Sequence, residues 1–434
     1  MTKLSTFFIL LTALSALCPL AGRADLPALT VLHTFGTSGP GDLTPSHDAN
    51  SDGSRPEAPL TQGPGGTLYG TTADGGTHGT GVIFKVNSDG TGFAVLHSFG
   101  PLTSLFGNET NSDGGRPNGA LVFGKDGALY GAAGQGGHGG SGTIFKMNPD
   151  GSGFSILHSL EPKGELFHNA GGADPLGLTV GADGTLYGTA ELGGDGRGLI
   201  FTLTPDGRKF GVIHAFEDPI YDGSVNINKG GSIPNAAVVV GPGGALYGTA
   251  NIGGGAGYGV VYKMDAGGKH FAVLHQFRRK GGDYKNNGAF PSGSLTLGPD
   301  GFLYGCTRQG GAFDSGVAYK MSADGAVFMV LHTFSDYNLN SADGSFPCGP
   351  LAVGPDGRLY GLTSGGGGNG TGTVFKITTD GAEFFTLHDF SPAEGVNAST
   401  GLTLGQYGNL YGVSTGGGAN GTGTIFRVTF SQSK

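Results

Sequence analysis

The sequence predicts an all-β fold, a seven-bladed β-propeller of four-stranded antiparallel blades whose N-terminal strand completes the last blade. Three observations predict it. A composite motif recurs seven times, with a mean period of 57 residues from Tyr69 to Tyr411. Each copy holds four short apolar runs separated by turn signals. The ordered repeat array opens on a fourth-strand segment and closes on a third-strand segment, so the two ends complement each other.

The landmarks follow one another in a fixed order. Leu-Tyr-Gly places its Tyr at 69, 130, 187, 247, 304, 360 and 411. An aromatic residue follows 14 or 15 positions later (Phe84, Phe145, Phe201, Tyr262, Tyr319, Phe375, Phe426). A Leu/Ile-His pair comes 13 residues after the first six of these, and His33 supplies the seventh pair. From each His to the next Tyr the distance varies from 36 down to 23 residues, so one connection per repeat carries nearly all the length variation.

The second copy shows the strands. They are A (Ala120 to Phe123), B (Ala128 to Gly131), C (Thr143 to Met147) and D (Phe154 to His158). Runs of four or five residues rich in Val, Ile, Phe, Tyr and Thr, bounded by Gly, are strands. Gly124–Gly127 closes A–B and Asn148–Gly151 closes C–D, with Asp-Gly supplying the positive φ of tight hairpins. No helical period interrupts them. Four antiparallel strands per repeat favour propeller blades over a solenoid. Leu29 to Phe35 is a lone D strand and the last repeat has only A, B and C, so the first segment closes the ring and removes an open edge.

Glycine supplies 91 of 434 residues, which would signal low complexity without the period that organises it. The net charge of −9 argues against a nucleic-acid footprint. Residues 1–24 read as a signal peptide, with Lys3 before an apolar run from Phe7 to Leu17 and a small residue, Ala24, at the cleavage site. The remainder, 25–434, is the propeller, and no later run is long enough to span a membrane as a helix. The expected location is extracellular or periplasmic.

The pattern Leu-His-x-Phe, Asp-Gly-x-x-Pro, Gly-x-Asp-Gly-x-Leu-Tyr-Gly, Gly-Gly, Gly-Thr-x-Phe-Lys resembles the GloVer repeats of choice-of-anchor tandem repeat proteins. It covers residues 29–430. The resemblance implies an exported bacterial protein. It implies no reaction.

In a propeller the B–C and D–A connections share one face. Here A–B and C–D are tight turns of nearly constant length, so the variable D–A loops mark the functional face. They offer aromatic residues outside the repeat template, among them Tyr221, Tyr284 and Tyr337, and a basic cluster that includes Arg278 and Arg279. Exposed rings suit sugar stacking, and the basic cluster suits an anionic glycan; packing of each loop on its blade is the competing reading. Asp48-x-Asn50-x-Asp52-Gly53 has the alternating oxygens of a calcium loop, although Pro59 stands where its bidentate Glu would be. Calcium is therefore a possible cofactor, and none is required.

The repeated histidines sit on seven different outer strands and read as structural. Simple alternation puts Val95, His97 and Phe99 on one face. The Gly-rich B–C loops lack the following helix of a phosphate loop. Cys306 ends strand B of one blade and Cys348 opens strand A of the next, which predicts a disulfide between them in an oxidising compartment.

These features support a secreted binding module for a glycan or an extracellular or surface protein. An extracytoplasmic polysaccharide-acting enzyme is the alternative, and an architectural repeat protein the third reading. Loop carboxylates such as Glu161, Glu165, Asp283 and Asp336 would serve an enzyme only if two faced one pocket.

Overall fold

The computed structural model describes residues 27–37, 49–105, 108–162, 164, 169–221, 223, 225–278, 287–337, 341–398 and 400–430. They form seven antiparallel blades, with strands in the order A-B-C-D across each sheet. Blades 1 to 6 span 61–98, 122–159, 169–215, 232–276, 289–333 and 345–389. Blade 7 takes its A, B and C strands from 403–429 and its D strand from Ala28–Thr34. That D strand pairs with Thr424–Thr429, from Ala28↔Thr429 to Thr34↔Thr424. At the same seam Thr403 Oγ1 donates to the Leu60 carbonyl of blade 1 at 2.6 Å. Thr61, Thr179 and Thr296 make the same bond to Leu121, Val238 and Leu351 of the following blades.

Each recurring residue has a physical reason. The A–B turn of blade 2 carries Gly127 at φ 78°, and the Tyr130 hydroxyl donates to Asp126 Oδ2 in that turn at 2.8 Å. Tyr304 and Tyr360 clamp Asp300 and Asp356 in the same way. The Gly of Leu-Tyr-Gly lies opposite the aromatic residue of strand C, as Gly131 does opposite Phe145. A Cβ on Gly131 would stand 2.4 Å from Phe145 Cζ. The ring therefore covers bare backbone, and the two residues must recur together.

The apolar cores lie between blades. Between blades 1 and 2, Tyr69, Ile83 and Phe99 meet Leu121, Leu129, Phe145 and Met147. Six other buried clusters fill the remaining junctions.

Strand D departs from simple alternation. His97 pairs with Ile83 but Val95 pairs with Phe84, so Leu96 is an extra residue in the ladder. The same bulge occurs in all seven blades. Val95 and His97 therefore face opposite sides, which corrects the shared face expected from the sequence. The bulge lets Leu and His of one pair both address the next blade. His97 stacks on Phe154 of blade 2 at 3.7 Å, and five further histidines stack likewise on the next blade.

Among the described residues no helix is long and apolar enough to cross a membrane.

Candidate functional site

Each D–A connection enters strand A through a left-handed residue. Arg55, Arg116, Asp174, Ile233, Phe290, Phe346 and Asn397 have φ between 50° and 60°. Six of them precede proline. Left-handed backbone is costly for branched or bulky side chains such as Ile233 and Phe290. Docking on the preceding blade offsets the cost. Arg116 N–H donates to Thr80 O at 2.8 Å, and Phe346 N–H to Ser315 O at 2.8 Å. The proline that follows seats against a glycine: a Cβ on Gly81 would stand 2.8 Å from Pro117 Cδ.

These entries surround the top of a central cavity of about 950 Å³ that runs along the A strands, from Asn235 to Val239 in blade 4, and is lined from all seven blades. Two register positions supply its polar walls. The residue after the entry proline lines it in blades 1 to 6 as Glu57, Asn118, Leu176, Asn235, Ser292 and Cys348. The fourth residue after the repeat Tyr lines it in blades 4 to 7 as Asn251, Arg308, Ser364 and Thr415. The second position is alanine or glycine in blades 1 and 2, so the seven-fold pattern is broken where it meets the cavity.

The neutral donors are spent on backbone carbonyls. Asn235 Nδ2 donates to Pro291 O at 2.9 Å and Ser292 Oγ to Pro347 O at 2.9 Å. Asn235 Oδ1 in turn accepts from Thr249 Oγ1 at 3.5 Å. Glu57 is the single carboxylate among the described lining residues, and Arg55 Nη2 holds it at 2.5 Å. Arg55 Nη1 also reaches Asp74 at 2.7 Å. Two polar atoms of lining residues, Asn118 Oδ1 and Thr400 Oγ1, are buried without a hydrogen-bond partner.

Aromatic rings flank blades 4 to 6. Phe290 packs edge-on against Tyr258 at 5.7 Å, and Phe346 lies 5.4 Å from Tyr337. Phe313, on the B–C loop of blade 5, is 53 % exposed.

The residues expected from the sequence fall mostly outside this cavity. Tyr221 and Tyr337 are exposed, at 65 % and 55 %, on different D–A loops, and neither lines it. Arg278 is exposed beside its β-bridge to Gly288 and does not line it either. Arg279, Tyr284, Glu165, Asp283, Asp48 and residues 1–24 lie outside the described residues. Ring-lining residues such as Asn118 and Arg308 escaped notice because they stand inside the repeat template; their variation at a fixed register was the available signal.

Asn50 and Asp52 have other work. Asn50 Oδ1 accepts from Gly53 N–H at 2.7 Å and Gly76 N–H at 3.0 Å. Asp52 Oδ2 lies 2.9 Å from His33 Nε2, and its Oδ1 accepts from Gly36 N–H at 2.9 Å. Asn111 and Asp113 repeat the arrangement around His97. These contacts give Asn50 and Asp52 structural partners in the loop. His332–Asp343 and His388–Glu394 extend the carboxylate pairing. Burial would raise the Asp343 carboxyl, but hydrogen bonds from His332 and Ser335 outweigh it and hold the group low. His214, with no carboxylate partner among the described residues, is pushed down to about 4 by burial. His275 is also pushed down to about 4, by burial and the charge of Arg278; its Nε2 meets Asn287 Nδ2 at 2.9 Å.

The expected disulfide is not formed: Cys306 and Cys348 are both free and buried. Cys306 sits in the core between blades 5 and 6. Cys348 turns to the other side of its blade, into the core between blades 6 and 7, where its thiol donates to Ala398 O at 3.4 Å. Burial pushes the Cys348 thiol up to about 12 and raises Cys306 too.

The fold is similar to that of a streptogramin B lyase, at 17 % identity and a TM-score of 0.56, over 94 % of this chain and 100 % of that one. A gluconolactonase from Xanthomonas campestris is a looser likeness, at 18 % identity and a TM-score of 0.39, over 74 % of this chain and 88 % of that one. At these identities the likeness concerns the fold alone. No curated protein sequence matches the chain. The Gloeobacter/Verrucomicrobia repeat matches at residues 37–229, 167–340 and 336–434, and the chain belongs to that repeat family.

Proposed function

We propose that the chain is an exported binding protein that holds the end of a glycan in its loop-face cavity. The carrying observation is the cavity wall. All seven blades contribute to it, and glycine and aliphatic positions alternate with amide and hydroxyl groups such as Asn118, Asn235, Asn251, Ser292 and Ser364. A volume of about 950 Å³ lies in the upper range of small-ligand pockets. Exposed rings at Phe313 and Tyr337 offer apolar faces on the same side of the ring. Cleavage of a glycosidic bond would need a second carboxylate facing Glu57 across about 5–9 Å. Glu57 is the single lining carboxylate among the described residues, so binding is the better-supported reading.

The test is a glycan array with the purified chain lacking residues 1–24, read for both retention and product release. Retention without product is expected. Product release would favour the enzyme reading. Silence against every glycan would overturn the proposal and turn attention to a protein partner.

A further inference from the structure

We infer that the cavity selects a hydroxylated ligand bearing a carboxylate, the acidic sugar end of a glycan, with Arg308 as its anion contact. The inference rests on the glycan reading above and adds a charge requirement to it.

The register position that carries Arg308 is the first ground. Ala73 and Gly134 put no polar group there in blades 1 and 2 and Glu191 of blade 3 does not line the cavity, whereas Asn251, Arg308, Ser364 and Thr415 all line it in blades 4 to 7. The three neutral members of this arc are anchored. Asn251 Nδ2 donates to Pro291 O at 3.3 Å, Ser364 Oγ to Phe346 O at 3.2 Å and Thr415 Oγ1 to Asn397 O at 3.2 Å. Arg308 breaks that habit. It is exposed, it lines the cavity, and no side chain among the described residues pairs with it.

Charge balance is the second ground. The cavity carboxylate, Glu57, is already matched by Arg55. Arg308 is thus an unmatched cation in the centre of a chain whose net charge is −9. A guanidinium presents five N–H donors in a planar fork that fits a carboxylate with two parallel hydrogen bonds. One such cation suits one carboxylate. A polyanion would meet the repulsion of the acidic chain without further cations to offset it.

Calorimetric titration tests this with a uronate-terminated oligosaccharide and its neutral counterpart, against the wild type and Arg308→Gln. The wild type should bind the uronate about tenfold tighter or more, as a charge-assisted hydrogen bond allows. In Arg308→Gln the ratio should fall to near one. Equal binding of both sugars by the wild type would overturn the charge requirement, a preference that survives Arg308→Gln would overturn the role of Arg308, and either would leave the glycan reading standing. Binding of neither sugar by the wild type would sink both. Arg308 is exposed and its side chain pairs with none of the described residues, so its substitution should leave the blades intact, and the melting temperature checks this.

Discussion

The ring of Pro175 in blade 3 lies so close to Gly142 of blade 2 that a Cβ on that glycine would stand 2.5 Å from Pro175 Cδ. Gly142 also has φ of 105°, which L side chains avoid. The pair locks two blades together at the rim of the cavity. Asp174, just before the proline, is left-handed and donates its N–H to Ser141 O at 3.0 Å. Gly142→Ala should therefore cost more than a backbone penalty. Gly127→Ala is the control, since Gly127 has φ of 78° and open space around its Cβ position. Its cost should be about 1–2 kcal/mol, and Gly142→Ala should exceed it by about 1–3 kcal/mol from the clash. Urea unfolding of the two variants compares them, and equal losses would refute the interlock.

Asn287→Asp should change the acid response of blade 4. His275 is held neutral, with its folded value pushed down to about 4. A lowered histidine value means that the unfolded chain binds more protons between about pH 6.5 and 4, so stability falls as pH falls through that window. His214 adds to the same loss. An Asp at 287 would recreate the pairing of His97 with Asp113, 3.0 Å apart, and raise the His275 value. The variant should lose less stability than the wild type between pH 7 and pH 5. Melting curves at the two pH values measure this; an unchanged acid loss would count against the assignment.

Chelation should leave the melting temperature unchanged. Asn50 and Asp52 are engaged by Gly53, Gly76, Gly36 and His33. A calcium ion bound only to the folded chain would stabilise it by mass action. A lower melting temperature in chelator, restored by calcium, would show a cation role for Asp48, Asn50 and Asp52.

Thiol titration of the unfolded, unreduced chain lacking residues 1–24 should find two thiols. In the native chain both should react slowly, because burial disfavours their thiolates. No free thiol after unfolding would restore the disulfide.

The fold was legible because a propeller repeats its constraints. Gly131 and Phe145 recur together since one covers the other. The strand-D bulge was not legible, because one inserted residue leaves the spacing of Phe145 and His158 constant in every copy. The cavity was not legible either. Attention falls on long loops, but strand D is the outer strand, so a D–A loop can carry Tyr221 or Tyr337 without bringing it to the axis. Arg308 lies near the end of strand B and Asn118 in the segment that enters strand A, and both line the cavity. The cysteines lie in adjacent blades as expected, but sequence does not show that Cys348 turns toward Ala398.

The most direct test of the account is a titration of a retained oligosaccharide against three proteins: wild type, Ser364→Phe and Tyr407→Ala. Ser364 lines the cavity, and a phenyl ring there would take space that a ligand needs. Tyr407 is 86 % exposed on the A–B hairpin of blade 7, at the opposite face. Ser364→Phe should abolish binding, while Tyr407→Ala should bind as the wild type does. Full binding by Ser364→Phe, or loss confined to Tyr407→Ala, would contradict the account.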